Sequence, residues 1–311
     1  MRAFINIIIL GFYIGLNAQQ CPGAISSKGN YDFDSNTELF APSKKAYNIV
    51  GNVGRKFFFG KKDFPKLVGY KSTFDVHPSA FAICKETSDN FEQSRKIVGK
   101  TRLGYIWLEN KWINDTWAKD GFKLEPELIF LIGHEAVHIL HRKDVTFQRQ
   151  VRRREDGKFV FKKDSEGNYL GFFSDIPDKL KDHAEELHGD YGGGLILYDV
   201  VLYKHDNWVQ RSEDDFIRNA HEKKYNLILE QVVKFIRTEL APQVSTSHGS
   251  ADERVSYFLK GVADRKKFIN ELEDSELQKA TMKGPNPDLI NSLKESGKLL
   301  RAEYKIKKST D

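Results

Sequence analysis

Cysteine is almost missing from this chain, with two in 311 residues. That excludes zinc-ribbon and iron–sulfur sites, which need four soft ligands. Any metal must therefore be held by histidine and carboxylate. An excess of one charge is missing too: 49 Lys and Arg against 44 Asp and Glu leave a net +5. So slight and evenly spread a surplus does not make a phosphate-binding surface, and no nucleic-acid partner is expected. Beyond Ala3–Leu16 no apolar run is long enough to span a bilayer, so no membrane span is expected in the mature chain. What is present, 40% hydrophobic and 30% charged residues, is enough for one large or two small cored domains and excludes a disordered tail.

Arg2 is the only charge before Lys28, and the apolar run Ala3–Leu16 ends at Asn17-Ala18-Gln19. A spanning helix needs roughly 20 apolar residues, whereas a secretory leader needs a shorter run before a small residue. Residues 1–18 therefore read as a signal peptide cleaved near Ala18, which makes the expected mature protein periplasmic or secreted. Cys21 and Cys84 would then share an oxidising compartment as the only possible pair. Whether they bond is not readable from spacing.

Residues 19–70, punctuated by Gly51, Gly54 and Gly60, read as irregular structure with a strand or two. Ser79–Ile83 and Leu103–Leu108 read as strands, rich in aromatic and branched residues; Phe91–Val98 reads as a short polar helix or a loop. Pro126 opens the clearest helix, with Glu127 in its first turn and apolar residues from Leu128 through Leu140. Residues 146–173 read as an inserted β-hairpin with a basic, solvated face. A second long helix is expected over Pro177–Tyr203, although Gly189 and Gly192-Gly193-Gly194 each cost it about 1 kcal/mol. Such a cluster calls for close approach to another backbone. Ser212–Leu240 reads as a serine-capped third helix, and residues 262–311 as a charged helical extension broken at Gly284-Pro285-Asn286-Pro287.

The first long helix carries His134-Glu135-Ala136-Val137-His138. Histidines four apart project from one face, so both imidazoles reach one zinc ion, and the adjacent glutamate can contact a water on it. Two histidines and a glutamate on an otherwise apolar helix cost free energy unless paired, and a metal removes that cost. A catalytic zinc takes three protein ligands and one open position. On the second helix Glu186 and Asp190 are four apart: Glu186 can be the third ligand, and Asp190 can accept a hydrogen bond from a ligand imidazole and fix its tautomer.

Gly133-His134-Glu135-Ala136-Val137-His138 followed by Glu185-Glu186-Leu187-His188-Gly189-Asp190-Tyr191 resembles the gluzincin peptidases of the CAAX-prenyl-protease and HtpX type. Three further segments fit in the same order: Ser79-Ala80-Phe81-Ala82, Gly104-Tyr105-Ile106-Trp107-Leu108 and Ser247-His248-Gly249-Ser250-Ala251-Asp252-Glu253-Arg254. The resemblance covers roughly Ser79–Gly261. Ser79, Gly189 and Gly249 stand where that family has asparagine, alanine and proline.

The resemblance implies an α+β fold over residues 71–261 with a zincin-like core, in which the HExxH helix packs on the ExxxD helix beside a small mixed sheet. It implies one zinc ion per chain on His134, His138 and Glu186, and endopeptidase activity on protein or peptide substrates. Glu135 would act as general base toward the zinc-activated water. His248 would stabilise the oxyanion or touch the metal, or else be a surface histidine, and Arg254 would anchor its loop. The strand at Ala80, Phe81 and Ala82 would bind substrate backbone by β-augmentation.

Three other readings stand beside it. His141 and Asp144 imitate metzincin spacing, but that layout needs a glycine at 141 and a methionine turn, and the one methionine after the leader is Met282. A non-catalytic binding or chaperone-like protein could keep the fold and the metal. A helical structural protein would hold none. Oligomeric state is open.

Overall fold

The structure, a computed structural model, describes residues 39–58, 64–70, 80–83, 89–101, 103–109, 125–143, 151–153, 159–161, 173, 176, 178–240, 248–272, 276–277 and 286–310. The leader, Ser79, Cys21, Cys84, Asp144 and Met282 lie outside them. The fold is α+β.

Four short strands form one sheet in the order β1-β2-β4-β3: β1 (Leu39–Phe40), β2 (Lys66–Tyr70), β3 (Ala80–Ile83) and β4 (Tyr105–Glu109). β2 runs parallel to β4, with Leu67 opposite Ile106, while β3 runs antiparallel to β4, with Phe81 opposite Trp107. Period-two alternation gives the sheet two buried faces. Leu67, Ile106, Leu108, Ala80 and Ala82 face the main core. Val68, Tyr70, Tyr105 and Trp107 pack with Phe91 of the helix α2 (Asp89–Val98). The segment around Phe91 is thus a helix rather than a loop.

Helix α1 (Lys44–Phe57) is a correction to the reading of residues 19–70 as irregular or β. Its apolar residues Ala46, Ile49, Val50, Val53 and Phe57 recur at helical spacing and are buried, and Ser43 caps its start by accepting from the Ala46 N–H. Gly51 and Gly54 do not break it. A Cβ at Gly54 would lie 2.8 Å from Phe64 Cβ, so the glycine makes room for that ring.

Helix α3 (Glu125–Lys143) is buried from Leu128 to Leu140, as a helix apolar on all sides must be. It lies over β3 and beside α1. β5 (Val151–Arg153) and β6 (Phe159–Phe161) then form a separate antiparallel hairpin.

The second long helix runs further than its glycines suggest. α4 (Asp178–Leu197) passes through a five-residue π-helical turn, Tyr198–Leu202, into α5 (Tyr203–Arg211). In that turn Asp199 meets Lys56 at 3.5 Å and Arg265 at 2.6 Å. α6 (Asp215–Phe235) follows, capped by Asp214 and not by Ser212: the Asp214 carboxylate accepts from the Phe216 and Ile217 N–H groups. Ser212 instead ends α5, its N–H donating to Trp208.

The chain continues as α7 (Ala251–Asn270) and α8 (Pro287–Thr310). α7 runs unbroken through position 261, and one hydrophobic cluster extends from Ala46 of α1 to Tyr304 of α8. Among the described residues no helix is long and apolar enough to cross a membrane.

Two of the glycines of α4, Gly193 and Gly194, meet backbone, which is what lets its neighbours close in. A Cβ at Gly193 would sit 2.9 Å from the Phe130 carbonyl oxygen of α3, and one at Gly194 would sit 2.2 Å from that of Phe258 on α7. Both faces of α4 are thereby pressed against partner helices.

Candidate metal centre

His134 and His138 lie one turn apart on α3, and Glu186 and Asp190 lie one turn apart on α4. Close packing of these two helices brings two imidazole nitrogens and both oxygens of one carboxylate together. His134 Nε2 is 2.9 Å from His138 Nε2 and 3.5 Å from Glu186 Oε2, and His138 Nε2 is 3.4 Å from Glu186 Oε1. Tetrahedral bonds of about 2.0–2.1 Å place ligand atoms about 3.3 Å apart, so this triangle fits a single divalent ion. All three residues are buried, and the group can hold a metal ion.

Asp190 organises the triangle from behind. Its Oδ1 lies 2.9 Å from His134 Nδ1, so that nitrogen donates its proton there and Nε2 presents its lone pair to the triangle. Arg254, in the first turn of α7, grips Asp190 with Nε at 2.8 Å and Nη2 at 2.9 Å. The same Nη2 stands 3.3 Å from Glu186 Oε2, and Nη1 donates to the Leu240 carbonyl at 3.2 Å. The capping box between Ser250 and Glu253 fixes this turn of α7.

The charges respond accordingly. Burial alone would push His134 down, but Asp190 and Glu186 override it and hold the ring up to about 10 in the metal-free chain. Burial would raise Glu186, yet hydrogen bonds from His134 and His138, with Arg254 beside them, hold it well below the usual carboxylate range. A cation at the triangle replaces the proton that His134 otherwise takes.

Glu135 differs from every other member. It is fully buried, and neither carboxylate oxygen has a hydrogen-bond partner among the described residues. Burial pushes its carboxyl up to about 7, against the opposing pull of His138 and His134. An unpaired buried carboxylate costs on the order of several kcal/mol, so an occupant of the triangle that it can bond to is energetically favoured.

No family model, no curated protein and no solved structure matches the chain. The geometry therefore carries the functional argument.

His248 lies just before α7, and burial pushes its ring below its usual value. Arg254, His138 and His134 lower it further while Glu186 opposes them, which places His248 within electrostatic reach of the triangle. The next residue, Gly249, has φ 78°. Proline cannot adopt that angle, which accounts physically for glycine there. A Cβ at Gly249 would also strike His183 Nε2 at 2.5 Å.

Ala80 and Ala82 are buried on β3, the last strand in the sheet order and the one that α3 crosses. Phe81 pairs through its backbone with Trp107. Among the described residues the outer edge of β3 carries no strand.

Sequence reasoning missed a second cluster. His138, His141 and Glu185 also bring one ligand atom each within 4.8 Å of one another. His141 is tied in turn to His188 on α4. Position was the sequence signal: His141, weighed above only in metzincin spacing with Asp144, lies three residues after His138, and His188 lies two after Glu186.

Proposed function

We propose that this protein is a zinc-dependent endopeptidase with a zincin-like core, related in design to the gluzincins of the CAAX-prenyl-protease and HtpX type. The observation that carries the reading is the triangle of His134, His138 and Glu186, whose donor atoms lie 2.9–3.5 Å apart, with the unpartnered carboxylate of Glu135 on the same helix. Two nitrogens and one carboxylate oxygen are the donor set of catalytic zinc.

A bound zinc ion supplies a Lewis acid that polarises a scissile carbonyl and lowers the pKa of its water to about 7. Glu135 takes the proton from the attacking water and later delivers it to the leaving amine. Its carboxylate, buried on the same helix as the two imidazoles and bonded to no other described group, is left to that task. Asp190 and Arg254 keep His134 in the tautomer that faces the ion. His248, kept neutral by burial and its cationic neighbours, donates a hydrogen bond to the developing oxyanion. The backbone of Ala80, Phe81 and Ala82 pairs with an extended protein or peptide substrate along the outer edge of β3, giving affinity with little sequence preference. Export through the 1–18 leader places this activity in the periplasm or outside the cell.

The deciding experiment compares zinc content and casein cleavage before and after Glu135→Gln. The variant should keep one zinc per chain and lose roughly 100-fold or more of the activity, the usual worth of a general base. Equal cleavage by both forms would overturn the assignment.

One observation favours a second reading, a metal-bound binding or chaperone-like protein. His134, Glu135, His138 and Glu186 are at most 2% exposed, so the triangle is closed to substrate as it stands. Stoichiometric zinc with no cleavage under any condition would support that alternative.

A further inference from the structure

The ligand helices α3 and α4 are joined a second time, about a turn beyond the triangle. His141 Nε2 and His188 Nδ1 are 2.7 Å apart, and the two rings lie nearly parallel at 12°. His188 Nε2 is 2.8 Å from the backbone carbonyl of Leu293 on α8. Phe173 sets its ring edge-on to both, at 5.3 Å and 5.6 Å between centroids. The link spans three helices at the point where they converge. A Cβ at Gly192 would strike Val137 of α3 at 2.3 Å and Leu293 of α8 at 3.0 Å.

The protons along this link are fixed from one end. A carbonyl only accepts, so His188 must donate from Nε2. Both rings are fully buried, and burial disfavours a charged ring. Neutral His188 therefore carries its lone pair on Nδ1 and accepts there from His141 Nε2–H. His141, neutral and donating from Nε2, in turn keeps its own lone pair on Nδ1; its ring also belongs to a cluster with His138 and Glu185.

That cluster has the composition of a second cation seat, but it shares His138 with the triangle. A neutral imidazole has one lone pair, so two ions held at once would require His138 as an imidazolate. The hydrogen-bonded link needs no such ionisation.

We propose that His141 and His188 are positioning residues for the metal centre, forming a strut that makes zinc affinity depend on the docking of helix α8. The proposal rests on reading His134, His138 and Glu186 as the ligands. The strut fixes the rotation and spacing of α3 against α4, and those two quantities set the triangle. The Leu293 carbonyl fixes the tautomers of the strut, so α8 belongs to the metal centre without touching the ion. This gives the C-terminal helix a role that its charged sequence does not suggest.

The test measures zinc affinity of the full chain by competition with a chelator. His188→Phe keeps a stacked ring but removes both hydrogen bonds; His188→Gln can still donate and accept. A group bonded directly to a metal ligand is worth about 10–100-fold in affinity; the strut acts one bond further out, so about 10-fold is the loss expected for His188→Phe, whereas His188→Gln should stay within about threefold of wild type. Val232→Ala, a core truncation on α6, should lower stability and leave zinc affinity unchanged. Wild-type affinity in His188→Phe, an equal loss in His188→Gln, or a parallel loss in Val232→Ala would overturn the strut. So would two zinc ions per wild-type chain falling to one in His141→Phe, which would make the cluster a second seat.

His134→Ala separates the two levels. If it binds zinc as the wild type does, the ligand assignment itself fails; if it loses zinc while His188→Phe does not, only the strut fails. A measurement on the wild type needs no variant to fold: zinc should slow amide hydrogen exchange along α8, and unchanged exchange there would also sink the proposal.

Discussion

Arg254 holds Asp190 with two nitrogens, Nε at 2.8 Å and Nη2 at 2.9 Å, and Asp190 holds His134 at 2.9 Å with an oxygen that Arg254 also contacts. One carboxylate thus joins α7 to the ligand face of α3. Replacing Arg254 by leucine removes the guanidinium that Asp190 and Glu186 share and leaves His134 as their remaining cationic partner, at a cost of up to about 3–5 kcal/mol. Urea denaturation of the metal-free protein should show that loss, and Asp190→Asn should weaken zinc binding about 10–100-fold.

Metal binding should stabilise the fold, because the triangle exists only when α3 and α4 are packed. Free zinc at about a thousand times its Kd adds about 4 kcal/mol. A thermal melt with and without a chelator reads this directly. Glu186→Gln should abolish the zinc-dependent shift while leaving the chelated melt within a few degrees of wild type.

Gly189 is the tightest contact at the triangle, since a Cβ there would lie 2.7 Å from His134 Cε1. Gly189→Ala therefore has to move the ligand ring. Overpacking of this kind costs about 1–3 kcal/mol. Zinc affinity should fall with stability, and the visible spectrum of the cobalt-substituted protein should change shape, reporting altered ligand geometry.

The hairpin of α5 and α6 should loosen in acid. His205 Nδ1 faces His221 Nδ1 at 3.0 Å, and Trp208 stacks on His221 at 5.5 Å. Burial, aided by Lys204, His221 and Lys224, pushes His205 down to about 4. An unfolded histidine titrates near 6.5, so between about pH 6.5 and 4 the open state binds more protons than the closed one. The contribution of His205 to hairpin stability is complete above that window and is lost as pH falls through it. Hydrogen exchange over residues 203–221 should accelerate from pH 7 to pH 4.5 beyond its intrinsic pH dependence, and His205→Phe should remove the excess.

Helix α3 was legible in the sequence because nothing but burial on every side explains an apolar run interrupted only by His134, Glu135 and His138. Glu186 and Asp190 were legible because a four-residue interval puts two carboxylates on one helical face. α1 was missed although Ala46, Ile49, Val50 and Val53 carry its period, because Gly51 and Gly54 read as punctuation until Phe64 is seen beside them. The link from His141 to His188 was illegible for a different reason. It joins residues 47 apart and ends on a backbone carbonyl 105 residues from His188, and no local pattern encodes such a meeting.

From Ala184 to Leu197 not one residue of α4 reaches solvent appreciably, and four of them are glycine. In isolation such a segment is a poor helix, about 1 kcal/mol worse for each glycine than alanine would be. Its helical order therefore leans on the enclosure by α3, α7 and α8, and the position of the Glu186 carboxylate is only as firm as the packing of those three neighbours.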